Sequence, residues 1–264
     1  MEMTLRLEWE LSKGELVFVA TEHCEQGPTL VSASGACRSF WPVGLRLQAD
    51  GKELLRLAVN GWLPSSDSGQ PAVAGAWAEA LQDLEPCEGL RLTGVKKGLS
   101  LAWITLSDKA SQGLRDDSAG PAVERLCRER LDLDWVQGYV LPDELGALKG
   151  LLTGLALVQG YDLIVTTGGT GLGPRDVTPE ATLAVIDKRL PGFELAMTEA
   201  SLAKTPHGAI SRAVAGTLGE SLILNLPGSP KAVEENLSAV LPALKHAVDK
   251  LKGDPTDCAR ALNI

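Results

Sequence analysis

Four short segments combine glycine, hydroxyl and charged residues in the way that phosphate chemistry requires. The longest is Thr166-Thr-Gly-Gly-Thr-Gly-Leu-Gly-Pro-Arg-Asp-Val-Thr-Pro179. Gly168, Gly169 and Gly171 let successive backbone N–H groups turn toward one point as an anion site, and Thr167 and Thr170 add hydroxyl donors. The spacing is not Walker A, since no Gly-Lys-Ser/Thr follows, and Pro174 occupies the last glycine of a dinucleotide GxGxxG. The alternative is a plain glycine-rich connection. Asp176 argues for a ligand, because a carboxylate beside a phosphate cradle repels its ligand unless a cation lies between them.

The other three segments carry matching chemistry. Leu141-Pro-Asp-Glu144 supplies a second carboxylate, Asp143, which reads either as a helix cap or, with Asp176, as half of a Mg²⁺ site. Ser107-Asp-Lys-Ala-Ser-Gln-Gly113 offers Ser107 and Asp108 and leads to Asp117-Ser-Ala-Gly-Pro121, a further polar anion site. Lys109 there is either a phosphate contact or a solvated charge. Asn225-Leu-Pro-Gly-Ser-Pro-Lys231 brings Pro227, Gly228, Ser229 and Lys231 to another turn. His23, His207 and His246 are scattered, so neither a catalytic triad nor a zinc site is expected. A reaction without a protein nucleophile fits better, and phosphoryl or nucleotidyl transfer is one, since positioning and charge neutralisation supply most of its catalysis.

These segments must be held by regular elements. From Leu99 onward, apolar strands (Leu101–Leu106, Trp135–Leu141, Leu163–Val165, Leu222–Leu224) alternate with helices near 121–131, 143–158, 179–190, 193–203 and 231–252. Thr178 reads as the N-cap of the third helix, with Pro179 at its first position. The alternation predicts an α/β fold, a three-layer, mostly parallel sheet with helices on both faces, whose ligands lie beyond the carboxyl ends of the strands. Residues 1–97 have a different rhythm and predict a small β-rich domain preceding a domain of 98–264. Leu5–Leu11 and Glu15–Ala20 read as strands, Asp50-Gly51 as a tight hairpin turn, Pro71–Leu84 as a helix, and Gly89–Val95 as a strand. Trp9, Trp41 and Trp62 read as core in preference to the alternative, a binding face.

A net charge of −9 and a pI near 5.0 exclude a general nucleic-acid or anionic-membrane binder. No apolar run approaches the ~18 residues that a membrane span needs, and the start lacks the apolar centre of a secretory signal, so a cytoplasmic protein is expected. Cys24, Cys37, Cys87, Cys127 and Cys258 form no CxxC pair and are expected to be free thiols.

Together, Ser107-Asp-Lys-Ala-Ser-x-Gly113, Thr166-Thr-Gly-Gly-Thr-Gly171, Pro174-Arg-Asp-Val-Thr-Pro-Glu-Ala-Thr182 and Asn225-Leu-Pro-Gly-Ser-Pro-Lys231 resemble the signature loops of molybdopterin adenylyltransferases, the group that includes the G domain of gephyrin. The resemblance covers about 99–252. It implies transfer of AMP from Mg-ATP to the terminal phosphate of molybdopterin, a homotrimer, catalytic and metal-holding Asp143 and Asp176, and Ser211 on the substrate side. A molybdate-insertion enzyme of the same pathway is a further expected partner, one that rests on no motif. Where many members read Glu-x-Met-Arg, this chain has Leu195-Ala-Met-Thr198. The alternatives are a non-catalytic molybdopterin carrier or scaffold and a nucleotide-metabolism enzyme of the competence-damage type. On glycine freedom alone, Gly169→Ala is expected to weaken phosphate ligands sharply and stability only modestly.

Overall fold

The computed structural model describes residues 2–20, 29–32, 40–64 and 71–255, with backbone only for 29–32. They divide into two compact units, Met1–Gly98 with Val158–Gly160, and Leu99–Leu157 with Tyr161–Ile264. Cys24, Cys37, Cys258 and His23 lie outside the described residues. Among those described, Cys87 and Cys127 are free thiols, and burial pushes the Cys127 thiol up to about 12. No described helix is long and apolar enough to cross a membrane.

In the first unit, β1 (Glu2–Leu7), β2 (Leu16–Ala20), β3 (Thr29–Ser32), β4 (Arg46–Ala49), β5 (Lys52–Leu63), β6 (Val73–Ala80) and β7 (Cys87–Val95) close a barrel in the order β1-β3-β2-β6-β5-β4-β7. Asp50 and Gly51, with φ of 48° and 76°, make the tight turn expected between β4 and β5. Leu11 lies past the first strand and bonds back to Leu84 as an isolated bridge. The expected helix over Pro71–Leu84 is β6 instead. Its alanines favour a helix locally, but Ala76, Ala78 and Ala80 alternate inward, each fully buried, between the flanking strands β2 and β5. Ala76, Ala78 and Ala80 join a barrel core that already holds Met3, Leu5, Leu47, Leu55, Leu57 and Leu92. Of the three tryptophans only Trp41 is buried there; Trp62 and Trp9 are exposed, at 59% and 39%.

The second unit is a six-stranded sheet in the order β11-β12-β13-β10-β8-β9. β8 (Leu99–Leu106), β9 (Leu133–Leu141), β10 (Leu163–Thr167) and β13 (Ser221–Leu226) run parallel to one another. β12 (Ala215–Leu218) and the two-residue β11 (Lys188–Arg189) extend the sheet antiparallel at one edge. These edge strands carry too few apolar residues to announce themselves, and Lys188–Arg189 replaces the end of the helix expected to reach Leu190.

Helices α2 (Ala119–Arg130), α5 (Pro191–Leu202) and α6 (Pro230–Leu251) share one core with Leu101, Leu163, Val165, Leu222 and Leu224. The alternate residues Ile104, Ile164 and Ile223 are equally buried on the other face, as parallel strands covered on both sides require. α3 (Leu145–Thr153) packs against α4 (Thr178–Leu183) and continues as a π-helical segment, Gly154–Gln159. Asp162, fully buried, accepts from the Ser100 N–H at 2.6 Å and its hydroxyl at 2.8 Å, and pairs with Lys252 just after α6. That pairing answers the cost of an isolated buried carboxylate.

Trp103 on β8 faces Gly138 on β9 and Gly120 on α2. A Cβ on Gly138 would sit 2.0 Å from the indole, and one on Gly120 2.3 Å from it. Gly138→Ala is therefore expected to destabilise the chain by about 1–3 kcal/mol through overpacking. In urea unfolding, Trp103→Leu should recover part of that loss in the double variant, and an unchanged midpoint for Gly138→Ala would rule out the slot.

Candidate active site

The carboxyl ends of β8, β9, β10 and β13 deliver Ser107, Asp143, Gly168 and Gly228 to one edge of the sheet, the position where open parallel sheets bind ligands. A cavity of about 350 Å³ opens there, lined by Ser107, Asp143, Thr167, Gly168, Gly169, Asp176, Gly228 and Ser229 among others. Thr170, Gly171, Ser211 and Pro227 instead line a second cavity of about 220 Å³, together with His207 and Ser201. The glycine-rich loop thus contributes to both. Asp108 and Lys231 line neither, and Lys109 is an exposed residue of the short helix α1 (Asp108–Ser111).

The loop's peptide orientations are set by two residues. The Thr178 hydroxyl donates to the Gly168 carbonyl at 2.9 Å and the Thr178 N–H to that of Gly169 at 3.1 Å. The Arg212 N–H donates to the Thr170 carbonyl at 3.0 Å and its Nε to that of Gly171 at 2.8 Å. A planar trans peptide points the next N–H the opposite way. The amides of Gly169, Thr170, Gly171 and Leu172 accordingly turn away from these partners, and none has an acceptor among the described residues. Thr178 was expected to cap α4, but it is the first residue of that helix and its hydroxyl is spent on the loop.

The hydroxyls are mostly committed. Thr105 Oγ1 donates to Asp117 at 2.9 Å, so the 3.2 Å contact between Thr105 and Thr167 uses the Thr167 proton. Thr167 is then an acceptor toward the cavity and not the donor expected. Ser107 and Ser229 accept from Ala110 and Ala232 as caps of α1 and α6. Asp117 accepts from the Ala119 and Gly120 amides at 3.0 and 3.2 Å, which occupies the anion site expected at that turn. Ser211 differs from these, since its buried hydroxyl has no partner among the described residues.

The carboxylates are held from several sides. Asp108 and Asp143 each donate a backbone N–H to the other's carboxylate, both at 3.1 Å. Arg175 grips Asp108 through Nη2 at 2.6 Å and Nε at 3.1 Å, and this holds the Asp108 carboxyl below its usual range. Burial raises Asp143 instead, helped by the charges of Asp108 and Asp176 and opposed by the Asp108 amide and Arg175. Asp176 accepts from the Gly173 amide at 2.7 Å, and a Cβ on Gly171 or Gly173 would come within 2.8 or 2.9 Å of its carboxylate. Four carboxylates (Asp116, Asp117, Asp143, Asp176) and one guanidinium, Arg115, line the larger cavity. Arg115, Arg175 and Arg212 escaped the sequence reading, although the last two adjoin residues it had singled out, Asp176 and Ser211.

Residues 102–246 match the family described as "Probable molybdopterin binding domain". The chain belongs to this family. The molybdopterin adenylyltransferase of Helicobacter pylori is 41% identical over 158 residues, which make up 59% of this chain and 89% of that protein. Gephyrin of Dictyostelium discoideum is 40% identical over 161 residues, 58% of this chain and 22% of gephyrin's own length. The molybdopterin biosynthesis enzyme MoaB of Thermus thermophilus superposes with a TM-score of 0.56 at 44% identity, covering 60% of this chain and 99% of that one. Against the family pattern noted above, Leu195 is exposed and the Thr198 hydroxyl bonds the Glu194 carbonyl, four residues back on α5.

Gly169 has φ of +64°, and a Cβ there would lie 2.4 Å from Thr178 Oγ1. Backbone strain of ~1–2 kcal/mol then adds to displacement of the hydroxyl that holds Gly168, so the stability cost is more than the modest one expected from glycine freedom alone. Gly169→Ala should lower the melting temperature clearly and weaken ATP binding by calorimetry. Gly150→Ala, where no atom lies within 4 Å of the new methyl, should be neutral or slightly stabilising. ATP affinity equal to the parent's for Gly169→Ala would make this loop an ordinary connection.

Proposed function

We propose that the second unit is a molybdopterin adenylyltransferase: it joins the AMP moiety of ATP to the terminal phosphate of molybdopterin and releases pyrophosphate. The observation that supports the reading is the meeting, in one cavity of a chain of this family, of the start of the glycine-rich loop, Gly168 and the unpartnered Gly169 amide, with two aspartates from different strand ends. The named activity of relatives matched over most of their length supports it. A carrier would need the amides but not the acidic lining, which repels bound phosphate.

The phosphate monoester of the acceptor, with a second pKa near ~6, is largely dianionic at pH 7 and needs no general base. Its oxygen forms a bond to the α-phosphorus of ATP while the bond from that phosphorus to the bridging β-phosphate oxygen breaks. The obstacle is charge. The unpartnered amides are donors for phosphate oxygens, that of Gly169 on the larger cavity and those of Thr170 and Gly171 on the smaller, and Arg115 is the one cationic side chain lining the larger cavity among the described residues. Asp143, Asp176, Asp116 and Asp117 work against any anion there.

The donor set fits Mg²⁺, which prefers oxygen ligands, keeps several waters and is commonly held by one or two carboxylates plus substrate phosphates. Among the described residues no cluster of three His, Cys, Asp or Glu side chains could hold a metal alone. Asp143 and Asp176 would hold the ion, which supplies positive charge against the phosphates. Burial raises the Asp143 carboxyl above its usual range, and a cation beside it would favour the charged form. A homotrimer belongs to the same reading and rests on the motif resemblance; a cytoplasmic location and a molybdate-insertion enzyme as the next partner are proposed with it, the first from the charge and apolar pattern of the sequence and the second on no motif.

Asp176→Asn should cut adenylyl transfer about a hundredfold or more, the usual scale for losing a transition-state charge contact, with molybdopterin affinity near the parent's. Product formation is followed chromatographically from molybdopterin, ATP and Mg²⁺; parent-like turnover at saturating ATP and Mg²⁺ would end the metal assignment.

The catalytic domain is proposed to be 98–264, with 1–97 a separate domain. A chain shortened to start at Lys97 should stay folded and keep its transfer activity, because relatives matched over 89% and 99% of their length align to only 59–60% of this chain. Loss of folding or of activity in the shortened chain would make the barrel part of the catalytic unit.

A further inference from the structure

Arg212 has the densest set of contacts to the phosphate loop of any side chain described. Nε donates to the Gly171 carbonyl at 2.8 Å and Nη2 to the Asp176 carbonyl at 2.7 Å. Its own N–H holds the Thr170 carbonyl at 3.0 Å, and Nη1 pairs with Glu180 on α4. One residue therefore spans both ends of the segment Thr170–Asp176. The guanidinium suits this, since its planar fork fixes several acceptors at once, which a lysine ammonium cannot do.

We propose that Arg212 is a positioning residue for adenylyl transfer: it turns the Gly171 and Leu172 amides toward the ligand and sets the place of Asp176. The first effect follows from peptide planarity, because holding the Thr170 and Gly171 carbonyls fixes the two following N–H groups. The second follows from the Asp176 carbonyl being tied directly, while the Asp176 carboxylate is restrained by Gly173 from the other side. Arg212 lines neither cavity and acts through the loop. Its ion pair with Glu180 lowers the Glu180 carboxyl below its usual range and secures the fork's third nitrogen, but lies off the loop. The kinetic half of this inference rests on the adenylyltransferase reading; the binding half does not.

The test compares the full chain with Arg212→Met, Arg212→Lys and Glu180→Gln, each checked for folding by circular dichroism. Calorimetric titration with magnesium pyrophosphate reads the cradle without catalysis. Arg212→Met should weaken binding at least about tenfold, or ~1.4 kcal/mol, Arg212→Lys should restore little of it, and Glu180→Gln should stay within about twofold of the parent. In adenylyl transfer, kcat should fall in both Arg212 variants, and the Mg²⁺ concentration for half-maximal rate should rise. A merely structural arginine would lower the melting temperature and leave the pyrophosphate affinity of the folded fraction unchanged.

Parent-like affinity in Arg212→Met overturns the proposal, as does an equal loss in Glu180→Gln, which would assign the effect to the ion pair. If Arg212→Met does not fold, Arg212→Lys decides by the same criterion. A parent chain that binds no magnesium pyrophosphate removes the cradle and this role with it. If the binding series behaves as stated but the parent makes no adenylyl product, the role of Arg212 stands and the reading of the reaction fails.

Discussion

A peptide unit is planar, so a loop cannot aim its amides at a ligand without sending its carbonyls somewhere else. Buried carbonyls need partners, and in this chain two residues supply them. Thr178, the first residue of α4, takes the carbonyls of Gly168 and Gly169; Arg212, from the segment before β12, takes those of Thr170 and Gly171. The run Gly169-Thr-Gly-Leu172 then presents four amides without acceptors among the described residues, while the Gly168 N–H is held by the Leu226 carbonyl at 3.1 Å. Glycine permits the turn, with φ of 91° at Gly168 and 64° at Gly169, but these donors from outside the loop hold it.

Charge is the second constraint. The larger cavity has four carboxylates and one arginine on its wall, an arrangement hostile to phosphate taken alone. Some of that acidity is already answered within the protein: Asp117 by two amides and the Thr105 hydroxyl, and Asp108, just outside the cavity, by Arg175. Asp143 and Asp176 are bonded only to single backbone amides, and Asp143 resists ionisation through burial. Asp143 and Asp176 thus keep carboxylate oxygens that the protein leaves open, as does Asp116, for which no bond is seen among the described residues, and the proposed Mg²⁺ would answer that charge.

The first unit rests on different physics. Its barrel has no open edge, since β1 pairs with both β3 and β7, and closure satisfies backbone groups that an open small sheet would expose. Closure also demands small residues where strands crowd. Gly75 is one, because a Cβ there would meet the Val19 carbonyl at 2.4 Å. The inward alanines of β6 are others.

Much of the second unit is legible in one sequence. Continuous apolar runs can only be strands covered on both faces, their alternation with helices requires parallel crossovers, and that topology brings Ser107, Asp143, Thr167 to Gly169, Asp176, Gly228 and Ser229 to one edge. Local chemistry fixes the Asp50-Gly51 turn in the same way. Whatever depends on distant partners is absent from the pattern. An alanine-rich stretch reads as a helix until two neighbouring strands claim it as β6, and Lys188–Arg189 leaves the expected helix to pair with β12, which itself lies along β13. The hydroxyl of Thr178 reads as a cap until the Gly168 carbonyl takes it. Arg175 and Arg212 are separated by 67 and 41 residues from the groups they hold, Asp108 and Gly171, so no local spacing signals them. Sequence determines which groups exist at the strand ends. Only the tertiary structure decides which of their hydrogen bonds are spent within the protein and which remain for a ligand, because each group bonds whatever the fold brings within about 3 Å of it.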